Sequence, residues 1–194
     1  MNKKANGNKI ILASASPRRK QLLAEAGYQF DIAVSNVDEY DNLPPMELVE
    51  TNARLKAYAV AKENPERIVI GSDTTVAFNG RIFGKPKDLQ EAFTMLKTLQ
   101  GNTHSVYTAV CVVKNSAGNF KTLSGIQESK VLFKKLTDDK IKNYLECVNV
   151  LDKAGAYAAQ ECGELIIEKI DGDFDNVMGL PLRLVKKLLD TPDL

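Results

Sequence analysis

The sequence is poor in the residues that build redox and zinc chemistry. It has one histidine, His104, so no multi-histidine metal site can form, and a Ser-His-Asp nucleophile would depend on that imidazole alone. Thr103 and Ser105 on either side fit a strand edge and a structural or peripheral role. The three cysteines, Cys111, Cys147 and Cys162, are widely spaced with no Cys-x-x-Cys pair, which argues against a disulfide framework and a zinc knuckle and leaves reduced thiols. No window approaches the roughly 18 apolar residues of a membrane helix. Ile10–Ala13 is too short to be the h-region behind Met1-Asn2-Lys3-Lys4, so the expected location is the cytoplasm, with no membrane partner. Neither sign of charge dominates: 26 lysines and arginines meet 25 aspartates and glutamates, for a net charge of +1. A nucleic-acid polymer is therefore not an expected partner. The Gly-x-x-x-x-Gly-Lys-Ser/Thr loop and the Gly-x-Gly-x-x-Gly fingerprint are also missing, which leaves open a phosphate enzyme of another type.

What is present is a globular composition, 44% apolar and 26% charged over 194 residues, consistent with a single domain spanning 1–194 behind a polar arm at 1–8. Lys9–Ala15 reads as a buried strand, Ser16-Pro17 as the N-cap and first position of a helix, and Gly27 as its stop. Pro44-Pro45 leads into a helical pattern from about Met46 to Asn64, with Leu48, Leu55 and Ala59 on one face. Arg67–Gly71 is the next buried strand. Asp73–Phe78, Asn79-Gly80 and Arg81–Gly84 form a hairpin signal. Asp88 and Glu91 resemble a capping box before the stripe Leu89, Ala92, Phe93 and Leu96, ended by Gly101. Thr103–Lys114 and Phe120–Phe133 read as two long strands, Thr137 opens a helix to about Val148, Leu165–Ile170 is a strand, and Pro181 starts a last helix. The expected class is α/β, a mixed sheet with flanking helices.

Several residues violate local preference, and such violations concentrate at functional sites. In Ser14-Ala15-Ser16-Pro17-Arg18-Arg19 two arginines occupy the first turn of a helix, where the partial positive charge of the terminus disfavours them unless an anion is bound. The alternative is a solvated basic turn. Lys56 falls about 80° from Leu48 on the helical wheel, inside the apolar arc. It requires an anionic partner, or its stem snorkels past the helix edge. In Gly71-Ser72-Asp73-Thr74-Thr75 a carboxylate directly follows an apolar strand, where α/β sheets carry site chemistry; a turn or cap role is the other reading. Gly84-Lys85-Pro86 brings a second lysine to the end of the same hairpin. Asp38-Glu39, with Asp41 beyond, offers hard oxygen ligands suited to Mg²⁺, or is a solvated loop.

Together, Leu12-Ala13-Ser14-Ala15-Ser16-Pro17-Arg18-Arg19, Gly71-Ser72-Asp73-Thr74, Gly84-Lys85-Pro86, Asp152-Lys153-Ala154-Gly155-Ala156-Tyr157 and Gly179-Leu180-Pro181-Leu182 resemble the Maf (septum formation) family of nucleoside triphosphate pyrophosphatases. The resemblance runs from about Lys9 to the last helix. It implies an elongated, two-lobed α/β domain related to the inosine triphosphate pyrophosphatases, with a cleft between the lobes. The implied activity is hydrolysis of the α–β phosphoanhydride with Mg²⁺ or Mn²⁺, releasing a monophosphate and pyrophosphate. Carried over by motif, Ser14, Ser16 and Arg19 hold phosphates, Lys56 and Lys85 neutralise them, and Glu39 and Asp73 ligate the metal, with Asp73 also placed to orient or deprotonate water. Arg18, Thr74 and Gln160 match the branch acting on dTTP, UTP and modified pyrimidine nucleotides. Ala158-Ala159-Gln160 departs from the more usual Gly-Ile-Gln, Phe174 stands where tyrosine is common, and Val148–Leu151 lacks a proline often found there. Family members are often dimeric, which makes a homodimer one expected state. A competing reading is a non-catalytic nucleotide-binding regulator of cell division acting through a protein partner. An esterase using Ser14 or Ser16 lacks the Gly-x-Ser-x-Gly elbow.

Overall fold

Helix and turn signals in the chain act where their chemistry places them. In the computed structural model, which describes residues 10–192, Ser16 caps helix α1 (Pro17–Glu25) by accepting from the backbone N–H of Arg19, and Gly27 follows the helix with φ +82°. Asn79 and Gly80 both have positive φ, as a type I′ turn demands, and join strands β3 (Ile68–Phe78) and β4 (Arg81–Phe83). Asp88 caps helix α3 (Leu89–Leu99) through the Glu91 N–H. The expected capping box closes differently, because Glu91 Oε2 accepts from the N–H of Lys87 rather than of Asp88. Leu89, expected on the inner stripe of α3, is exposed.

The other elements are strands β1 (Ile10–Leu12) and β2 (Phe30–Ile32), helix α2 (Pro45–Glu63), strands β5 (Thr103–Ser116) and β6 (Asn119–Phe133), helix α4 (Asp138–Cys147), strand β7 (Ile167–Asp171) and helices α5 (Phe174–Met178) and α6 (Leu182–Leu189). The strands form a mixed sheet in the order β2-β1-β3-β5-β6-β7, with β4 on β3. β1 runs parallel to β2 and β3, whereas β3–β4 and β6–β7 are antiparallel. The α/β class with a mixed sheet and flanking helices is as expected. The two strands expected over 67–71 and 73–78 are one continuous strand, β3. β2 and α5 carry no expectation from the sequence. The polar arm at 1–8 lies outside the described residues.

The chain divides into two compact units with boundaries inside β3, β5 and β6 and between α5 and α6. The first comprises residues 1–73, 109–126 and 179–194. Its buried positions include Ile11, Leu12, Leu23, Val49, Ala53, Ala57, Val69, Ile70, Val110 and Val185. Gly71 lets α2 lie close on β3: a Cβ there would stand 2.3 Å from the carbonyl oxygen of Ala53 and 2.8 Å from the nitrogen of Ala57. The second unit comprises residues 74–108 and 127–178. Its core gathers Val76, Leu96, Leu99, Phe133, Ile141, Tyr144, Tyr157 and Ile166. His104 belongs to this core rather than to a peripheral strand edge. It is 2% exposed, pairs through Nε2 with the Tyr157 hydroxyl at 2.9 Å and meets Phe133 edge-on.

Candidate active site in the first unit

Parallel pairing sets Leu12, the end of β1, beside Ile70 of β3, and the Ala13 N–H continues the ladder to the Ile70 carbonyl. The polar residues that follow, Ser14 and Ser72-Asp73, therefore stand where β1 and its parallel pairing with β3 end, the kind of place where open α/β sheets carry their sites. α2 packs over β3 at Gly71 and sets Lys56, 9% exposed, against Asp73, also 9% exposed. Lys56 Nζ lies 2.8 Å from Asp73 Oδ1 and 2.6 Å from Glu39 Oε2. The lysine inside the apolar arc thus does not snorkel past the helix edge: two carboxylates converge on its ammonium.

Asn52, one helical turn before Lys56, completes the arrangement. Its Nδ2 donates to Asp73 Oδ2 at 3.3 Å and to the Tyr40 carbonyl, and its Oδ1 accepts from the Tyr40 N–H. One amide thereby ties the loop bearing Glu39 to the strand bearing Asp73. Sequence reading passed over Asn52, although it repeats the signal of Lys56: a polar side chain four residues away on the buried face of the same helix.

The arginine turn is built from local hydroxyls. Ser14 Oγ accepts from the Ser16 N–H and from Arg19 Nη1, both at 3.2 Å, and Arg19 Nε donates to the Gly179 carbonyl at 2.8 Å. That carbonyl also accepts from Ser72 Oγ at 3.1 Å. Gly179, at φ +107°, is a second residue to which sequence reading assigned no role of its own. Burial lowers the pKa of Arg19 from its ordinary value; Asp73 opposes this, Arg18 adds to it and Glu39 opposes it. The guanidinium remains charged, as arginine does in proteins, and it lies within electrostatic reach of both carboxylates.

Ser14, Ser16, Arg18, Arg19, Glu39, Lys56 and Asp73 thus belong to one unit. Thr74, Lys85 and Gln160 belong to the other. There, Thr74 Oγ1 lies 3.0 Å from Thr108 Oγ1, which donates to the Asn176 carbonyl. Lys85 is exposed after β4, and Gln160 Nε2 donates to Glu161.

The donor set fits a hard divalent cation. Glu39 and Asp73 offer carboxylate oxygens that converge on the Lys56 ammonium, and no group of three or more His, Cys, Asp or Glu side chains suited to a metal occurs among the described residues. Two carboxylates completed by substrate phosphates and water is a Mg²⁺ arrangement, unlike an all-protein cage.

An α/β protein whose carboxylate–lysine–arginine cluster stands where the pairing of two parallel strands ends belongs to the class with polar sites at that place in the sheet. The chain is a member of the family described as Maf-like protein, which matches residues 9–191. Among its relatives, dTTP/UTP pyrophosphatase of a Thermoanaerobacter species is 48% identical over 184 residues, covering 94% of each chain. The protein of the same name from Akkermansia muciniphila is 48% identical over 183 residues, 93% of this chain and 95% of its own. That from Bacillus pumilus is 44% identical over 186 residues, covering 95% and 96%. No helix among the described residues is long and apolar enough to cross a membrane.

Proposed function

We propose that the chain is a nucleoside triphosphate pyrophosphatase acting on dTTP, UTP and modified pyrimidine nucleotides, in which residues 1–194 work as one nucleotide-handling domain. The observation that carries the reading is the convergence of Glu39 and Asp73 on Lys56 beside Arg19. Water is added across the α–β phosphoanhydride, so that the bridging P–O bond breaks and a monophosphate and pyrophosphate leave.

A triphosphate brings about four negative charges, and its hydrolysis accelerates only where fixed positive groups meet the charge that develops. Arg18 and Arg19 supply that charge at a helix N-terminus, together with the hydroxyls of Ser14 and Ser16, and Lys56 and Lys85 add ammonium groups. Asp73, whose two oxygens are held by Lys56 and Asn52, is fixed in orientation to orient or deprotonate the attacking water. Glu39 and Asp73 are the residues that would hold Mg²⁺ or Mn²⁺, which when bound polarises phosphoryl oxygens. Thr74 and Gln160 are assigned to the base. We further propose a cytoplasmic location without a nucleic-acid polymer or membrane partner, with a homodimer as one expected state.

The test is pyrophosphate release from dTTP, UTP, CTP and 7-methyl-GTP, with Mg²⁺ and with chelator. Release from dTTP and UTP that stops on chelation is expected. Absence of pyrophosphate from all four with Mg²⁺ overturns the reading, and binding without turnover would point to a regulator instead.

A further inference from the structure

Two lysines of the second unit stand in opposite settings. Lys85 is exposed, as a residue that meets a ligand must be. Lys153 is 5% exposed, and its ammonium is engaged within the protein. It donates to the Asn149 carbonyl and, at 2.8 Å, to Asp152 Oδ1, and it lies 3.7 Å from Glu161 Oε1. Three acceptors of its own unit thus surround its three protons, an arrangement that holds the chain together rather than one that receives phosphate.

The main chain of Lys153 joins the same knot. Its N–H donates to the Val150 carbonyl, and its own carbonyl accepts from the Ala156 N–H, which closes a 3₁₀ turn over Ala154–Ala156. From this turn the Gly155 N–H reaches out to the Gly84 carbonyl at 3.0 Å. The turn is tightly seated: a Cβ on Gly155 would stand 2.9 Å from Val76 Cγ2.

Gly84 is the residue before Lys85, and it lies beyond the end of β4 at Phe83, so the bond to Gly155 holds the chain where the strand no longer does. Pro86, on the other side of Lys85, is buried. A lysine carries its charge on a flexible four-carbon stem, and a charge that serves a transition state must be placed where that charge develops. Fixing the root of the stem on both sides limits where the ammonium can go.

We propose that Lys153 is a positioning residue for Lys85: by tying the loop at 149–153 to the turn, it holds the Gly155 N–H against the Gly84 carbonyl and so fixes the backbone from which the Lys85 ammonium reaches the phosphates. The inference rests on the reading of the chain as a nucleotide pyrophosphatase with Lys85 among its phosphate-neutralising groups. Lys153 itself touches no substrate. Its buried charge acts through one backbone hydrogen bond on an exposed charge.

The experiment is a double-mutant cycle on kcat for UTP with Mg²⁺, using the wild-type protein, Lys153→Met, Lys85→Met and the double variant. Lys85→Met should lower kcat by about a hundredfold and Lys153→Met by about tenfold. The double variant should match Lys85→Met, because no ammonium is left to place, and Lys153→Arg, which keeps the charge, should recover most of the turnover. A Lys153→Met effect that multiplies that of Lys85→Met is general structural support and overturns the proposal, as does wild-type kcat in Lys153→Met. If melting curves show Lys153→Met unfolded, Asp152→Ala, at a side chain 51% exposed, cuts the same anchor and is judged by the same cycle. Wild-type turnover in Lys85→Met overturns the role of Lys85 and the positioning with it. Failure of the wild-type protein to release pyrophosphate from UTP overturns the pyrophosphatase reading itself.

Discussion

Lys56 Nζ stands 2.8 Å from Asp73 Oδ1, joining a helix to a strand through a pair of side chains that are each nearly nine-tenths buried. Removing one partner of such a pair leaves an uncompensated charge out of water. Lys56→Met is therefore expected to lower stability by about 3 kcal/mol and pyrophosphate release by about a hundredfold or more. Urea unfolding and a pyrophosphate assay measure the two effects. Wild-type turnover in this variant would remove Lys56 from the site.

Gly71 is required by contact rather than by backbone conformation. A methyl group there would overlap the Ala53 carbonyl and the backbone of Ala57, and backbone cannot turn aside as a side chain does. Gly71→Ala is expected to cost about 2 kcal/mol or more and to reduce activity by displacing the helix that carries Asn52 and Lys56. Gly84→Ala is the control: a Cβ at Gly84 meets nothing within 4 Å, and its effect on stability should stay within about 0.5 kcal/mol.

Asn52 holds three partners with one side chain. Asn52→Leu leaves the Tyr40 N–H and carbonyl unpaired and frees Asp73 Oδ2. The expected outcome is a loss of about 1–3 kcal/mol together with an activity fall of about tenfold or more. Retained activity in a destabilised variant would limit Asn52 to a structural role.

Burial pushes the pKa of His104 from 6.5 down to about 4. Between those values the unfolded chain binds a proton that the folded chain does not, so stability rises with pH across this window. The contribution is present above about pH 6.5 and is lost as pH falls toward 4, amounting to about 3 kcal/mol. Unfolding free energies measured from pH 4 to 7 should show this slope in the wild-type protein and lose it in His104→Phe. The same slope in both would place the titration elsewhere.

The parts of the fold legible in the sequence are those decided locally. Ser16-Pro17, Asn79-Gly80 and Asp88 each act through neighbours within four residues, so their chemistry is complete in the linear text. β2 was invisible because its three residues, Phe30–Ile32, have a polar centre and take their order from pairing with β1. The division of β3 into two strands came from reading Gly71-Ser72-Asp73 as a break. The strand continues because each polar side chain finds a distant partner: Ser72 the Gly179 carbonyl, and Asp73 Lys56 and Asn52.

The candidate site was legible to the same degree. Lys56 announced itself as a charge among apolar neighbours, and Asp73 as a carboxylate in a strand. Asn52 did not, since an uncharged amide on a helix face is an unremarkable sight without its partners. The Gly179 carbonyl could not be anticipated at all, because a backbone oxygen carries no signature of side-chain type.

That oxygen carries an implication for how the molecule is made. It anchors both Arg19 and Ser72, yet it is encoded after every charged residue assigned to phosphate or metal. A message cut short just before Gly179 would specify all the ionic groups and still yield a guanidinium lacking its anchor. During synthesis the arginine turn can take its final form only once the closing stretch of the polypeptide has emerged.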